Sequence, residues 1–382
     1  MMLVLPWSVI IYLALVTARI GVTYSSNFTG TNRSWTYGPF DNDSLIWING
    51  WKFPPRLPLV WNTNINPCKS RGNLPVHITE FDHSSHAQNV KNNTLYNFIR
   101  PCDKSEWVQC VQHPTQACIV IISSFKSMKS LRKRKKLNLL LLNPTAWDGQ
   151  NIDWPATTFV PPPNSIVALS SFYEGTMKPY DIQVPLIRYS WWEDGKISPK
   201  WKDDRKRIFN KTVLLSFQGS INSLYRLPWE SHRSKIQDLH DPDNGVHIVI
   251  VKNRNQSFQS YTELLLASKY TFAPGGGGAH SYRFLESLFA GSIPILIDEY
   301  MVIPPFGGRL DAEILGIDWS LCLIKVKLGD LKSLPNLLRN ISEDDYNHRY
   351  ACCKRIVIKV FSTVYRLRET FFKILVGRIR KK

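Results

Sequence analysis

The stretch Tyr270–Ile297, YTFAPGGGGAHSYRFLESLFAGSIPILI, decides how this chain is read. It runs as strand, glycine loop, helix and strand. Gly275, Gly276, Gly277 and Gly278 carry no side chain, so a ligand can come close to the backbone there. Ser281 is placed to cap the helix at its N-terminus, and Gly291 to stop it at the C′ position. A glycine loop entering a helix N-terminus offers free N–H groups and the positive end of the dipole, which suits phosphate. Arg283 and Glu286 are three residues apart and share a helix face beside that seat. Phe284, Leu285, Leu288 and Phe289 are left to pack inward. A cation next to a carboxylate fits a nucleotide sugar, with Arg283 on the diphosphate and Glu286 accepting from ribose or sugar hydroxyls. Other glycine motifs do not match: there is no G-x-x-x-x-G-K-[ST], no third glycine three residues after Gly278, and no G-x-S-x-G around Ser281.

Outward from this stretch, short continuous apolar runs alternate with helical patterns. Cys118–Ser123, Leu137–Leu142, Ser165–Ser170, Val213–Phe217 and Val246–Val251 suit strands buried on both faces of a parallel sheet. Helices are expected at Glu230–Leu239, Thr262–Ser268 and Ser281–Ala290. The alternation argues for an α/β chain, most simply two Rossmann-like halves, with the charged, turn-rich Trp191–Lys211 between them. The organisation expected is a targeting segment at 1–18 and a stem with a cysteine-containing wrap at 19–115. An N-terminal Rossmann-like domain follows at 116–205 and a C-terminal one at 206–345. A last helix with a frayed basic tail takes 346–382. No internal repeat is visible.

The run Leu3–Val16 is almost wholly apolar, ends at Val16-Thr17-Ala18, and is shorter than the roughly 20 residues of a membrane span. It reads as a cleaved signal peptide or a short signal-anchor, and both readings lead into the secretory pathway. Seven N-x-S/T sequons, at Asn27, Asn32, Asn42, Asn92, Asn210, Asn255 and Asn340, agree with that address. Cys68, Cys102, Cys110 and Cys118 fall in one window and could form two disulfides in any of three connectivities. Cys322, Cys352 and Cys353 stand apart. Of 382 residues, 48 are Lys or Arg and 30 Asp or Glu, so the net charge of +18 calls for an anionic partner. A lumenal address removes nucleic acid from that list, despite the basic run Lys126–Lys136. The 13 Trp, 15 Tyr and 18 Phe exclude a disordered chain.

With these residues in view, the stretch from Tyr261 to Val326 resembles the C-terminal half of the exostosin-type, GT47-like glycosyltransferases. The likeness rests on ELLLASKYTFAP, on Ser281, Arg283, Phe284, Leu285 and Glu286, on AGSIPILI, and on the pairs Pro305-Phe306 and Asp318-Trp319. Upstream, LLSFQG ending at Gly219, followed by Arg233, is similar to the segment that opens the family's donor-binding half. Trp147–Asn151 and Tyr180–Leu186 resemble two further stretches of its animal members. The resemblance implies a GT-B fold, two Rossmann-like domains facing a central cleft. It implies inverting, metal-independent transfer from a UDP-sugar, glucuronic acid for this type of domain, to a glycan or glycoprotein acceptor of acidic character in the Golgi lumen. It also implies a donor site of Gly219, Arg233, Gly275–Gly278, Ser281, Arg283 and Glu286. The second, unrelated catalytic domain of the animal members is not expected here. One departure stands out: the family commonly has a basic residue just after the proline matching Pro274, and this chain has glycines only. A non-catalytic partner or glycan-binding subunit, paired with another exostosin-like chain, is therefore the alternative function.

Asp41-Asn-Asp43 and Asp241-Pro-Asp243 match a metal–diphosphate D-x-D, but the first overlaps a sequon and the second reads as a turn. No cofactor or metal is expected. Inversion needs a base within about 3 Å of the acceptor hydroxyl. It is expected from the N-terminal domain, where Asp82 (beside His83 and His86), Asp148, Glu174 and Asp181 are all open candidates.

Overall fold

The computed structural model describes residues 72–78, 102–122, 138–143, 165–170, 180–186, 211–221, 230–251, 258–275, 280–297 and 304–380, with Cys68 and a few short strands elsewhere. Each of the five apolar runs becomes a strand, and the strands assemble into two parallel sheets.

The first sheet contains β1 (Leu74–Ile78), β2 (Val108–Cys110), β3 (Ile119–Ile122), β4 (Leu139–Asn143), β5 (Ser165–Leu169) and β6 (Ile182–Gln183). Their spatial order is β6-β5-β4-β3-β1-β2. β3 is IVII and buried at every position, as a strand covered on both faces must be. This sheet corrects the expected boundary at residue 116, because β1 and β2 lie inside the segment assigned to stem and wrap. Disulfides Cys68–Cys118 and Cys102–Cys110 fasten those early strands to the sheet.

The second sheet contains β7 (Val213–Gly219), β8 (Val246–Ile250), β9 (Ser268–Phe272), β10 (Ile293–Ile297) and β11 (Ile324–Val326), in the order β8-β7-β9-β10-β11. Its helices include α1 (Glu230–Gln237), α2 (Phe258–Ala267) and α3 (Arg283–Phe289). A buried hydroxyl ladder crosses it, Ser216 to Thr271 at 3.2 Å and Thr271 to Ser292 at 2.7 Å. Gly291 ends α3 as read from sequence: its φ is +67°, its N–H donates to Leu288 O, and Ser292 N–H donates to Ser287 O. That is a complete Schellman closure. Lys211 Nζ reaches Leu266 O, Ser268 O and Ala290 O at 2.9–3.3 Å, so one cation caps the C-terminal ends of both α2 and α3. The Asp241-Pro-Asp243 segment is a turn, Pro242–Asn244 being one 3₁₀ turn closed by Gly245 at φ +76°.

Numbered within itself, each sheet has the doubly wound order 2-1-3-4-5, with one further strand in the first. This is the two-sheet α/β organisation of the GT-B class. Helices α4 (Arg309–Leu315), α5 (Leu334–Arg339), α6 (Glu343–Ile356) and α7 (Val364–Arg380) complete the chain. The disulfide Cys322–Cys353 ties α6 to the approach to β11 and leaves Cys352 as a buried free thiol.

Two features join the halves. Phe306 is buried with φ +54°, unusual for a side chain of its size. Its N–H donates to Gln183 O at 2.6 Å, and its ring stacks on Phe361. Helix α7 is a strap across both. On the C-terminal half Arg378 pairs with buried Asp311, and Gly377 lies so near Ile314 that a Cβ would come within 2.8 Å. On the N-terminal half Glu369 accepts from Ser105 Oγ at 3.1 Å and Glu106 N at 3.0 Å, while Arg380 donates to Gly72 O. The expected frayed tail is thus corrected as far as Arg380: the apolar stripe of α7 buries Arg378 against Asp311, and the exposed Arg380 still reaches Gly72 O.

Candidate functional site at the β7–β9 switch point

In a doubly wound sheet the chain reverses its winding between the first and third strands, and a crevice opens at their C-terminal ends. Here those strands are β7 and β9. Their pairing stops at Ser216↔Thr271, whereas β7 continues beside β8 as far as Gly219↔Ile250. Gly219 O accepts from Val251 N on the β8 side. Carbonyls alternate along a strand, so those of Gln218 and Ser220 face the gap toward β9. Arginines fill it. Arg283 donates to Gln218 O, and Arg233 Nη1 donates to Ser220 O at 2.9 Å. Arg233 also donates through Nε and Nη2 to Gly275 O at 3.0 and 2.6 Å, clasping the end of β7 to the start of the glycine loop. Gly219 makes this possible: a Cβ there would lie 2.8 Å from Arg283 Nη2 and 3.1 Å from the Phe217 ring.

The guanidinium of Arg283 lies 4.5 Å from the Phe217 ring centroid and 5.8 Å from that of Tyr261. Tyr261 OH donates to Glu286 Oε2 at 2.5 Å. Burial drives the Tyr261 phenol well above its ordinary range; Arg283 opposes this and Glu286 adds to it, so the hydroxyl stays protonated and holds the carboxylate. Arg283 and Glu286 do share a helix face, and Tyr261 is where they meet. Its role was not read from sequence, because Glu286 lies 25 residues further on and no spacing connects them.

Ser281 does not cap the helix. Tyr282 is already helical at φ −52°, ψ −31°, and the turn closes through the backbone. Phe284 N–H donates to Ser281 O, and those of Leu285 and Glu286 donate to Tyr282 O. These three amides are engaged, so the first turn of α3 does not offer them to a phosphate. The Ser281 hydroxyl and Arg283 Nε–H are instead buried with no hydrogen-bond partner among the described residues. Buried donors are nearly always satisfied, so these two donors are available to an oxygen-bearing group at this edge of the sheet.

Gly276, Gly277 and Gly278 lie outside the described residues, as do Asp82, Asp148 and Glu174. Asp181 is corrected: it is fully buried and its Oδ1 accepts from Val167 N at 3.0 Å, which fixes β5 against β6 and leaves no path to an acceptor. Of the seven sequons only Asn340 falls among the described residues, and it is exposed; Asn27, Asn32, Asn42, Asn92, Asn210 and Asn255 lie outside them. No cluster of three or more metal-ligating side chains occurs among the described residues. No described helix is long and apolar enough to cross a membrane.

The Exostosin GT47 domain matches residues 73–341. An exostosin-1 homolog of Caenorhabditis elegans is 23% identical over 304 residues, 70% of this chain and 77% of that protein. Exostosin-1 of Drosophila melanogaster is 29% identical over 151 residues, 35% of this chain but only 18% of that protein. Among solved structures, Anabaena HepE in complex with UDP-glucose superposes over 78% of this chain and 97% of that one. The identity there is 10% and the TM-score 0.36, a likeness too low to fix fold or ligand.

Proposed function

The chain belongs to the exostosin GT47 family, and we propose on that premise that it is an inverting glycosyltransferase which moves a sugar from a UDP-sugar donor to a glycan or glycoprotein acceptor in the Golgi lumen. The glycosyltransferase assignment follows the family; donor, stereochemistry and compartment are our reading. One observation carries it: Arg233 and Arg283 converge at the ends of β7 and β9, where Arg283 Nε–H and the Ser281 hydroxyl have no partner among the described residues. In the reaction proposed, the acceptor hydroxyl attacks the anomeric carbon from the face opposite the diphosphate. A base takes its proton, the carbon–oxygen bond to phosphate breaks, and UDP leaves with the electron pair. Charge grows on the phosphate oxygens, where Arg283 Nε–H and Ser281 O–H can donate. Glu286, held by Tyr261, accepts from a ribose or sugar hydroxyl. The base comes from the N-terminal half, with Asp82, Asp148 and Glu174 remaining from the sequence. Glucuronic acid is the donor sugar we favour, an acidic glycan the acceptor.

The same chemistry needs no metal in our reading, since the arginines supply the positive charge; unchanged transfer in a chelator is the expected result. A panel of UDP-sugars titrated calorimetrically into the purified chain tests the donor site directly. Binding of one donor, lost in Arg283→Ala while the fold persists, supports the assignment. The glycine-only Gly275–Gly278 loop, without a side-chain cation, favours one second reading: a non-catalytic subunit acting with another exostosin-like chain. Absence of binding by every donor would favour it over the first.

A further inference from the structure

We propose that Asn340 carries an N-linked oligosaccharide, that it is attached before the chain folds, and that it covers Leu337 on the side of the C-terminal half away from the switch point. This rests on the lumenal placement proposed above, which the three disulfides also favour, since such bonds persist in oxidising compartments.

The sequon Asn340-Ile341-Ser342 forms the joint between α5 and α6. Asn340 is the C-cap of α5. Its backbone N–H is bonded to Asn336 O at 3.1 Å, and its exposed side-chain amide makes no hydrogen bond among the described residues. Leu337 lies three positions earlier on the same short helix and is 49% exposed, while Leu334 and Leu338 are buried. Residues three apart on a helix are surface neighbours, about 5–6 Å between Cβ atoms, so a sugar on Asn340 lies within reach of the one uncovered leucine of α5.

Position explains why a bulky group is tolerated. Arg339 next door donates to Asn244 O at 3.2 Å, and Gly245 O accepts from Leu214 N at 2.9 Å. Asn340 therefore sits where β7 and β8 begin. The crevice lies where β7 ends at Gly219, five residues on and about 16 Å away at the strand rise.

The same geometry sets the timing. Ser342 Oγ accepts from Asp345 N at 3.2 Å as the N-cap of α6, and Ile341 packs against the core. Once α6 has formed, the sequon hydroxyl is occupied and its middle residue held. Modification must come first. Asn340 Nδ2 attacks C1 of an oligosaccharide carried on a lipid diphosphate; the C1–O bond to phosphate breaks, the lipid diphosphate leaves with the electron pair, the amide gives one proton to a base of the membrane transferase, and an N–C1 bond forms.

The test is peptide mass mapping of the full chain secreted from cells, after glycan release by peptide N-glycosidase in ¹⁸O water. Asn340 is expected to appear as ¹⁸O-labelled Asp. Asn340→Gln and Ser342→Ala should each lose one glycan, and Ser342→Thr, which keeps hydroxyl and cap, should keep it. Chain folded before exposure to the glycosylating membranes should stay unmodified at this position. The secreted Asn340→Gln protein should aggregate more readily, and adding Leu337→Glu should reverse that. Unmodified Asn340 beside occupied sequons elsewhere overturns the proposal alone. No glycan at any sequon overturns the lumenal reading with it. Aggregation that Leu337→Glu leaves unchanged removes the covering role.

Discussion

The two halves of this molecule share one topology and secure it by different means. In the first sheet the longest-range fastening is covalent and lies where strands begin or lead in: Cys118 precedes β3 and is joined to Cys68, and Asn138 ahead of β4 donates to Cys118 O at 3.2 Å. The shorter bridge Cys102–Cys110 holds the end of β2. The second sheet has its own ties at strand starts, through Lys211 and Cys322–Cys353, and adds a polar cluster where strands end: Arg233 and Arg283 close the gap beyond β7 and β9, and Tyr261 holds Glu286 behind them. A covalent staple at strand starts fixes a sheet without shaping its far edge. A polar cluster at strand ends shapes that edge and ties the sheet's stability to its chemistry.

Removing the staple gives the largest effect. Replacing Cys68 and Cys118 together by Ala opens a loop of 50 residues and should lower unfolding free energy by about 4 kcal/mol on the chain-entropy estimate. Below the melting temperature, donor titration should be unchanged. Denaturant unfolding and calorimetry on the same sample check both halves of that statement; loss of donor binding by the folded variant would mean that the halves are not separable in this way. The converse variant is Arg283→Ala. It should lose about 10²–10³ in turnover, the usual consequence of removing one donor to a developing charge, with circular dichroism unchanged. Transfer near the wild-type rate by that variant breaks the comparison from the other side.

Legibility from sequence followed the same division. IVII of β3 and IPILI of β10 are buried at every position, so unbroken apolar runs announced them. LPVHI of β1 alternates buried and half-buried positions and contains Pro75, a signal that demotes a run as a central strand, and it was absorbed into the stem. Gly291 was visible because positive φ selects glycine. Arg283 and Glu286 were visible as helix neighbours, but their partners Gln218 and Tyr261 are 65 and 25 residues away, and only the sheet brings them near. Cysteine spacing likewise left three pairings open for the N-terminal four and gave no sign that Cys322 meets Cys353. Local chemistry was readable, and contact across strands was not.

A milder change probes how tightly the C-terminal edge is built. Gly219→Ala places a methyl group 2.8 Å from Arg283 Nη2, the free end of a flexible side chain, so the guanidinium can move aside and leave Gln218 O. Donor affinity should fall about tenfold, equivalent to about 1.4 kcal/mol, with little change in melting temperature. An unchanged dissociation constant would show that donor binding does not depend on where β7 holds Arg283.

The strap offers the finest test, because it belongs to both halves and carries a buried charge. Arg378 Nε donates to Asp311 Oδ1 at 2.8 Å, while Asp311 Oδ2 has no partner among the described residues. Burial raises the Asp311 carboxyl from 3.8 to about 6, outweighing the opposing pull of Arg378. The folded protein therefore binds this proton more tightly than the unfolded chain does. The stability it contributes is fully present below about pH 4, declines as pH rises toward 6, and is gone above that. Asp311→Asn removes the titration and keeps an oxygen for Arg378, so the variant should lose that downward slope between pH 4 and 6. Melting temperatures of both proteins across the interval decide it. Parallel curves would mean that Asp311 stays ionised throughout, with Arg378 rather than burial setting its charge.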